Sequence, residues 1–288
     1  MNFYLSAVIL GLAYCGMGLG IYISLRIFNI PDITTDGSYT LGAAVSASLL
    51  SSGHSLPVVL GVVMVSGALS GMATGLIHTR MKIDPLLAGI LVMTGLYSVN
   101  LAVMGRSNIP LLNTASVSGI FPFLSPEPVR WMGAMLLFTI ILCVLIGWML
   151  KTDFGLAMRA TGNSEQMVRA NGVNTNRMKV IGLGIANALT ATSGFLVCQY
   201  QGFTDINMGI GIVIFGLGAV MMGEAFLSFT KLNSTGFHLA AVILGCVLFR
   251  VIIGAALTLG INPNWLKLVT AVIVLGVVGL PGIKLRLR

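Results

Sequence analysis

Long apolar stretches without a charged residue alternate with short polar segments along the whole chain. No charged residue precedes Arg26, and further uncharged stretches cover 37–79, 180–204 and 232–249. About 20 apolar residues suffice for a helix to cross a bilayer, and a helix satisfies its own backbone hydrogen bonds where lipid offers no partner. The pattern therefore predicts an all-α polytopic membrane helix bundle with about nine spans, within a range of about eight to ten. The predicted spans are 3–25, 38–52, 56–79, 86–104, 129–150, 178–201, 207–230, 236–258 and 265–283.

Composition narrows the class of protein. Hydrophobic residues make up 56% and charged residues 8% of the 288 residues, whereas about 25% of the residues in a soluble domain are charged. These values exclude an ordinary water-soluble enzyme, and they also exclude a disordered or nucleic-acid-binding chain. The four cysteines lie in apolar stretches without the spacing of a metal or redox site, so we predict no bound metal.

The excess of basic residues predicts the orientation in the membrane. The chain carries 16 Lys and Arg against 8 Asp and Glu, and cytoplasmic loops are enriched in Lys and Arg. The basic residues form four groups, and pairs of predicted spans separate one group from the next. Because of this spacing, all four groups can face the cytoplasm; they lie at 80–82, within 151–179, at Lys231 and after 283. This predicts an outer N-terminus and an inner C-terminus. The second span is short or broken, and the polar segment 31–37 leads into it.

The longest polar stretch, residues 151–179, holds seven charged residues. It predicts two short helices, about 153–161 and 164–170, with Asn163 as the N-cap of the second helix and Gly172 as its left-handed stop. Two such helices could form a docking surface for a partner protein. The residues alone leave open the alternative of a solvated, charge-retaining loop.

Several motifs resemble one family of membrane permeases. They are the run 152–163 with Gly172, the glycine-containing run at 182–189, and the segments 31–38, 199–209 and 216–224. Together they resemble the ATP-binding-cassette importer permeases of the branched-chain amino acid and ribose type, within the subgroup for tryptophan, tyrosine or other amino-acid-like substrates. Residues 151–179 resemble the region through which these permeases couple to their ATPase.

The resemblance implies one permease domain over 1–288 in a bacterial inner membrane. It also implies a second copy of the permease, separate cytoplasmic ATPase subunits and an extracytoplasmic solute-binding protein as partners. The chain has no phosphate-binding loop of its own, so ATP and Mg²⁺ would lie on the ATPase; we predict neither a cofactor nor catalytic residues here. The residues that the resemblance assigns to coupling are Thr152, Phe154, Gly155, Arg159, Ala160, Thr161, Gly162, Asn163 and Gly172.

Polar residues within or beside the spans are candidates for the solute pathway, because polar groups are costly in a bilayer. For Thr35 and Asp36 the alternative is capping of the helix that starts near Ser38, and for the amides it is hydrogen bonding between helices. Asp205, Glu224 and Arg250 are candidates for structural or gating charges. The pathway candidates are Asp32, Thr35, Asp36, Ser38, Asn100, Asn187, Gln199 and Gln201.

Two other functions remain open from the sequence. An ion-coupled secondary transporter could use Asp36, Asp205 or Glu224 to bind protons or sodium near a broken helix. A membrane-embedded enzyme would need a paired nucleophile and base, two carboxylates or a metal cluster, and the sequence shows no motif for any of these.

Overall fold

The computed structural model describes residues 2–112, 114–120, 123, 125–230, 234–262 and 265–286. Helices dominate it, and a short two-stranded antiparallel sheet of β1 (Asn108–Pro110) and β2 (Phe203–Asp205) joins two loops. The helices are α1 (Asn2–Ala13), α2 (Cys15–Ile21), α3 (Thr34–Ser51), α4 (Leu56–Met81), α5 (Pro85–Met104), α6 (Glu127–Met149), α7 (Asp153–Asn163), α8 (Glu165–Ala170), α9 (Thr175–Gln201), α10 (Ile212–Thr230), α11 (Thr235–Thr258) and α12 (Leu266–Arg286). A π-helical segment, Tyr22–Ile27, continues α2, and a 3₁₀ turn, Val117–Ile120, precedes α6.

Local sequence signals explain where several helices begin and end. The Asp84 side chain accepts a hydrogen bond from the Leu86 N–H (2.9 Å) at the start of α5, and the Asn174 side chain accepts one from the Arg177 N–H (3.1 Å) at the start of α9. The glycine after α9, Gly202, has a φ of +75°, a backbone conformation that favours glycine.

Helix α9 lies at the centre of the bundle. All of its residues from Gly182 to Gln199 except Ile185 are buried, and α2, α3 and α4 pack against it. The packing is close, since a Cβ added at Gly71 of α4 would collide with the Leu183 backbone and one added at Gly42 of α3 would collide with the Ala191 backbone. Small residues bring helix backbones together where lipid supplies no hydrophobic force between them.

The all-α prediction is confirmed, but the predicted number of spans is not. Among the described residues, five helices are long and apolar enough to cross a membrane: α4, α5, α6, α9 and α11. The pair α1–α2, bent by 40°, brings the number to six, and α10 and α12 contribute shorter apolar helices. Eight of the nine predicted spans nevertheless overlap one helix each, and the first, 3–25, covers most of α1, all of α2 and part of the π-helical segment. The predicted orientation stays a prediction, and two of the basic residues on which it depends, Lys231 and Arg288, lie outside the described residues.

Two predicted boundaries are wrong. Helix α3 begins at Thr34 rather than near Ser38, and α10 begins at Ile212 rather than near 207. Residues 206–211 form a turn instead, because the loop that follows β2 folds back onto α3: a Cβ at Gly209 would collide with the Asp36 carbonyl.

Candidate functional site

The coupling candidates lie on α7, directly before it at Thr152 and just after α8 at Gly172. We call residues 151–174, which precede α9, the α7–α8 surface. Thr152 caps α7 by accepting a hydrogen bond from the Gly155 N–H (3.4 Å), and its hydroxyl donates to the Met149 carbonyl (2.6 Å). Gly155 has no room for a side chain because the backbone of Leu150 lies against it. The start of α7 is therefore fixed to the end of α6.

The other end of α7 is fixed to the π-helical segment. A Cβ at Gly162 would collide with the Ile27 carbonyl, and the Asn29 side chain donates to the Gly162 carbonyl (3.1 Å). Between these ends, Arg159 donates to the Leu150 carbonyl (3.1 Å) and to the Thr235 hydroxyl (3.3 Å) at the start of α11. These contacts connect α7 to the end of α6, to the π-helical segment and to the start of α11.

The remaining coupling candidates occupy both sides of α7. Phe154 packs partly buried against the core, Thr161 is buried, and Ala160 is half-buried. Gly172 has the predicted left-handed conformation, with a φ of +83°.

The predicted cap of α8 is wrong. Asn163 is the exposed last residue of α7, and Ser164 takes the N-cap position without a side-chain hydrogen bond. The chain needs no such cap because Glu165 holds α8 in place.

Glu165 joins α8 to the first turns of α9. Its carboxylate accepts hydrogen bonds from Lys179 Nζ (2.7 Å), the Thr175 hydroxyl (3.0 Å) and Arg169 (2.5 Å). Burial alone would raise the pKa of Glu165, but the hydrogen bonds from Lys179, Thr175 and Arg169 and the charge of Lys179 hold the pKa below its ordinary value. Sequence reasoning missed this residue as a partner of Lys179, although both belong to the charged segment.

Three of the pathway candidates form one buried polar cluster, which we call the Asp32 cluster. The Asn187 amide of α9 donates to the Asp32 carboxylate (2.7 Å), and the Ser38 hydroxyl donates to the Asn187 side-chain oxygen (2.7 Å). All three residues are buried. The cluster extends to the hydroxyls of Thr34 and Thr74, which are 2.7 Å apart. It therefore connects α3, α4 and α9 by side-chain hydrogen bonds.

Asp36 caps a helix, but not the predicted one. Its two carboxylate oxygens accept from the N–H groups of Gly211 (2.9 Å) and Val213 (2.8 Å), at the beginning of α10. At the first turn of α3, the Asp32 side chain instead accepts a hydrogen bond from the Thr34 N–H (2.9 Å), and the Thr35 hydroxyl donates to the Asp32 carbonyl (3.2 Å). A carboxylate is favourable at a helix N-terminus, where the free N–H groups point outward.

The other amide candidates do not join the Asp32 cluster. Asn100 of α5 donates to the Gly37 carbonyl (3.2 Å), and its side-chain oxygen has no partner in the described residues. Gln199 accepts from the Val117 N–H (3.3 Å) near the other end of α9, and its amide nitrogen has no partner there. Gln201 is exposed at the end of α9. Asn100 and Gln199 thus form hydrogen bonds between different structural elements, as the alternative of hydrogen bonding between helices predicted.

The three candidate charges have different surroundings. Glu224 of α10 forms an ion pair with Arg26 at the end of the π-helical segment (2.5 Å), and both residues line a cavity of about 220 Å³. Asp205 accepts from the Asn207 N–H (2.8 Å) in the turn after β2. The Arg250 guanidinium lies over the Tyr14 ring, 5.6 Å from its centre. Arg26 was missed as a partner because 198 residues separate it from Glu224.

The chain matches one family over almost its whole length. The family is described as the permease component of a branched-chain amino acid transport system, and the match covers residues 3–278. A tyrosine transport system permease protein of Clostridioides difficile is 36% identical over 273 residues, which cover 94% of this chain and 89% of that protein.

Two further relatives are less similar in sequence. An uncharacterized protein of Rickettsia prowazekii is 32% identical over 95% of each chain. An autoinducer 2 import system permease protein of Salmonella typhimurium is 27% identical over 87% of this chain and 70% of that protein. No solved structure gives a significant match. The chain, with its several long apolar helices, therefore belongs to the branched-chain amino acid transport permease family, a family of multi-pass membrane transport subunits.

Proposed function

We propose that this chain is the permease subunit of an ATP-binding-cassette importer in a bacterial inner membrane. A separate ATPase docks on the α7–α8 surface, an extracytoplasmic binding protein delivers the solute, and a second copy of the chain completes the pathway. The solute is small and is an amino acid or a related compound, and the Asp32 cluster borders its route. Membership of the permease family and the tyrosine permease relative support this assignment.

One observation carries the coupling part of the proposal. The α7–α8 surface is polar, yet it exposes two large apolar side chains, Leu156 (59% exposed) and Met167 (67% exposed). The same two helices are bound to the bundle through Gly162 and Glu165. An apolar contact on a surface that is fixed to the membrane helices suits a partner that transmits motion.

Co-purification with the proposed partner ATPase tests the docking. Leu156→Glu and Met167→Glu should each abolish retention of the ATPase, because a charge would be buried in the contact. Leu259→Glu is the matched control, since Leu259 is 83% exposed just after α11, away from this surface. Retention of the ATPase by both variants on α7 and α8 would contradict the docking.

Uptake into proteoliposomes tests the energy source. The reconstituted complex should accumulate solute only with ATP inside the vesicles and with the binding protein outside. Uptake that persists without ATP hydrolysis and collapses with the ion gradient would favour the ion-coupled secondary transporter instead.

A further inference from the structure

A cavity of about 190 Å³ lies near the beginning of α10, and we call it the α10 pocket. Its walls come from α10, α11 and α12 and from Tyr14, the residue between α1 and α2. Two cations line it, Arg250 from α11 and Lys267 from α12. No part of the function proposed above uses this cavity.

The α10 pocket carries an excess of positive charge. None of the ion pairs among the described residues includes Arg250 or Lys267. One acid, Asp36, interacts with the charge of Lys267, and its carboxylate also accepts from the N–H groups of Gly211 and Val213. Asp36 can offset one of the two positive charges, so the α10 pocket keeps one excess positive charge, which an anionic group of a ligand could neutralise.

The rest of the α10 pocket is apolar and aromatic. Tyr14 and Phe215 line it and are both 6% exposed, with ring centres 4.7 Å apart. The Arg250 guanidinium rests on the Tyr14 ring, which orients its planar face. A guanidinium held in this way offers parallel N–H donors, which match the two oxygens of a carboxylate.

We propose that the α10 pocket binds the carboxylate of an amphipathic solute, with Arg250 and Lys267 holding the carboxylate and Tyr14 and Phe215 contacting an apolar or aromatic remainder. The substrate class is therefore a small organic acid with an apolar part. As a statement about the transported solute, this inference rests on the proposed function. The recognition of a carboxylate does not depend on ATP or on the ATPase.

Charge-selective labelling of a cysteine in the pocket tests the positive charge. Thr270 lines the pocket, so Thr270→Cys in a Cys143→Ser background places a thiol there in a chain whose other cysteines are buried. In lipid nanodiscs, the anionic reagent 2-sulfonatoethyl methanethiosulfonate and its cationic trimethylammonium analogue report the local potential. The ratio of anionic to cationic labelling rates should fall at least about tenfold when Arg250→Gln and Lys267→Gln are added.

Ser51→Cys, on the exposed end of α3, is the control, and its rate ratio should not change with these two substitutions. An unchanged ratio at position 270, or no labelling there by either reagent, would overturn the inference. Any shift of the control ratio equal to that at position 270 would also overturn it, because the effect would then be a property of the whole surface.

Protection by small probes tests the carboxylate directly. Phenylacetate joins a carboxylate to an aromatic ring, and phenylacetamide has the same shape without the charge. Phenylacetate at millimolar concentration should slow labelling at position 270, and Arg250→Gln should remove the protection. Equal protection by both compounds, or protection by neither, would contradict carboxylate recognition. ATP-independent uptake would contradict the proposed function while leaving these labelling results unaffected.

Discussion

Replacing Glu165 by glutamine should detach α8 from the first turns of α9. The carboxylate of Glu165 is the shared acceptor for Lys179, Thr175 and Arg169. Glutamine has nearly the same shape but carries no charge. The substitution therefore removes the electrostatic attraction to Lys179 and Arg169 and keeps the volume of the side chain. The local opening free energy of α8 is the quantity that should change.

The magnitude follows from the exposure of each partner. Lys179 is 15% exposed and Glu165 32% exposed, and a hydrogen bond to a charged group in such a setting contributes about 1.5–3 kcal/mol. The pair with Arg169, whose side chain is 57% exposed, adds only about 0.3–0.5 kcal/mol. Because glutamine still accepts weaker hydrogen bonds, we expect the opening free energy of α8 to fall by about 2 kcal/mol. This corresponds to a roughly 30-fold increase in the equilibrium constant for opening.

Hydrogen exchange of the α8 amides in nanodiscs measures this opening. Exchange of the amides of 165–170 should accelerate roughly 30-fold in Glu165→Gln. Asp153→Asn is the control, because Asp153 is an exposed acid of α7 whose side chain forms no hydrogen bond among those described. This control should leave the exchange rates of the α8 amides unchanged. Equal exchange in wild type and Glu165→Gln would refute the assignment of Glu165 as the link between α8 and α9.

The same contact predicts a dependence on pH. The folded pKa of Glu165 is depressed, so its stabilisation is complete above the unfolded value of about 4.3 and is lost as the pH falls through the folded pKa. After correction for intrinsic exchange rates, wild-type α8 should open more readily as the pH falls below about 4.3. The Glu165→Gln variant should lack this step.

Substitutions at three further residues test other contacts. Gly162→Ala forces a Cβ against the π-helical segment, and such overpacking costs about 1–3 kcal/mol, so the thermal midpoint should fall. Gly95→Ala, with nothing within 4 Å, should not lower it, because alanine is favoured over glycine in a helix interior. Asp36→Ala should destabilise the chain by about 0.5–2 kcal/mol through loss of the α10 cap. Asp36→Asn should keep the assembled bundle and reduce uptake, and unchanged uptake would remove this residue from the solute pathway. Asn187→Leu removes one hydrogen-bond partner each from the buried Asp32 carboxylate and the buried Ser38 hydroxyl, which should destabilise the chain by about 1–3 kcal/mol in total; a denaturation midpoint equal to that of wild type would contradict the Asp32 cluster.

Hydrophobic stretches predicted the helices well because a membrane helix needs about 20 apolar residues whatever it packs against. The predicted spans 56–79 and 86–104 therefore fall within two residues of α4 and α5. The two short helices at 153–161 and 164–170 were also predicted, since Gly172 and the polar run mark their ends. The number of helices that cross the membrane was harder to predict, because α3 is not among the apolar helices and the apolar parts of α10 and α12 are short.

The contacts of the candidate site could not be predicted in the same way. Asp36 looked like a cap for its own helix, but it caps α10, 175 residues away. Capping preferences describe local sequence, and they cannot show which helix N-terminus the tertiary fold brings near a carboxylate. The same limit applies to Asn187 and Ser38. The sequence identified both as polar residues that are costly in a membrane, but it could not show that they form a hydrogen bond with each other, because 149 residues separate them.

The placement of these contacts along α9 links the two candidate regions physically. Lys179 near its start bonds to α8, and Asn187, eight residues later, bonds to the Asp32 cluster. Eight residues of helix span about 12 Å, and a continuous helix moves over that distance as a nearly rigid body. A displacement of the α7–α8 surface must therefore either break the hydrogen bonds of Glu165 or shift Asn187 against α3. If the Glu165 contact holds during transport, the Asp32 cluster must rearrange with each displacement, and Glu165→Gln should uncouple the two regions without altering the cluster itself.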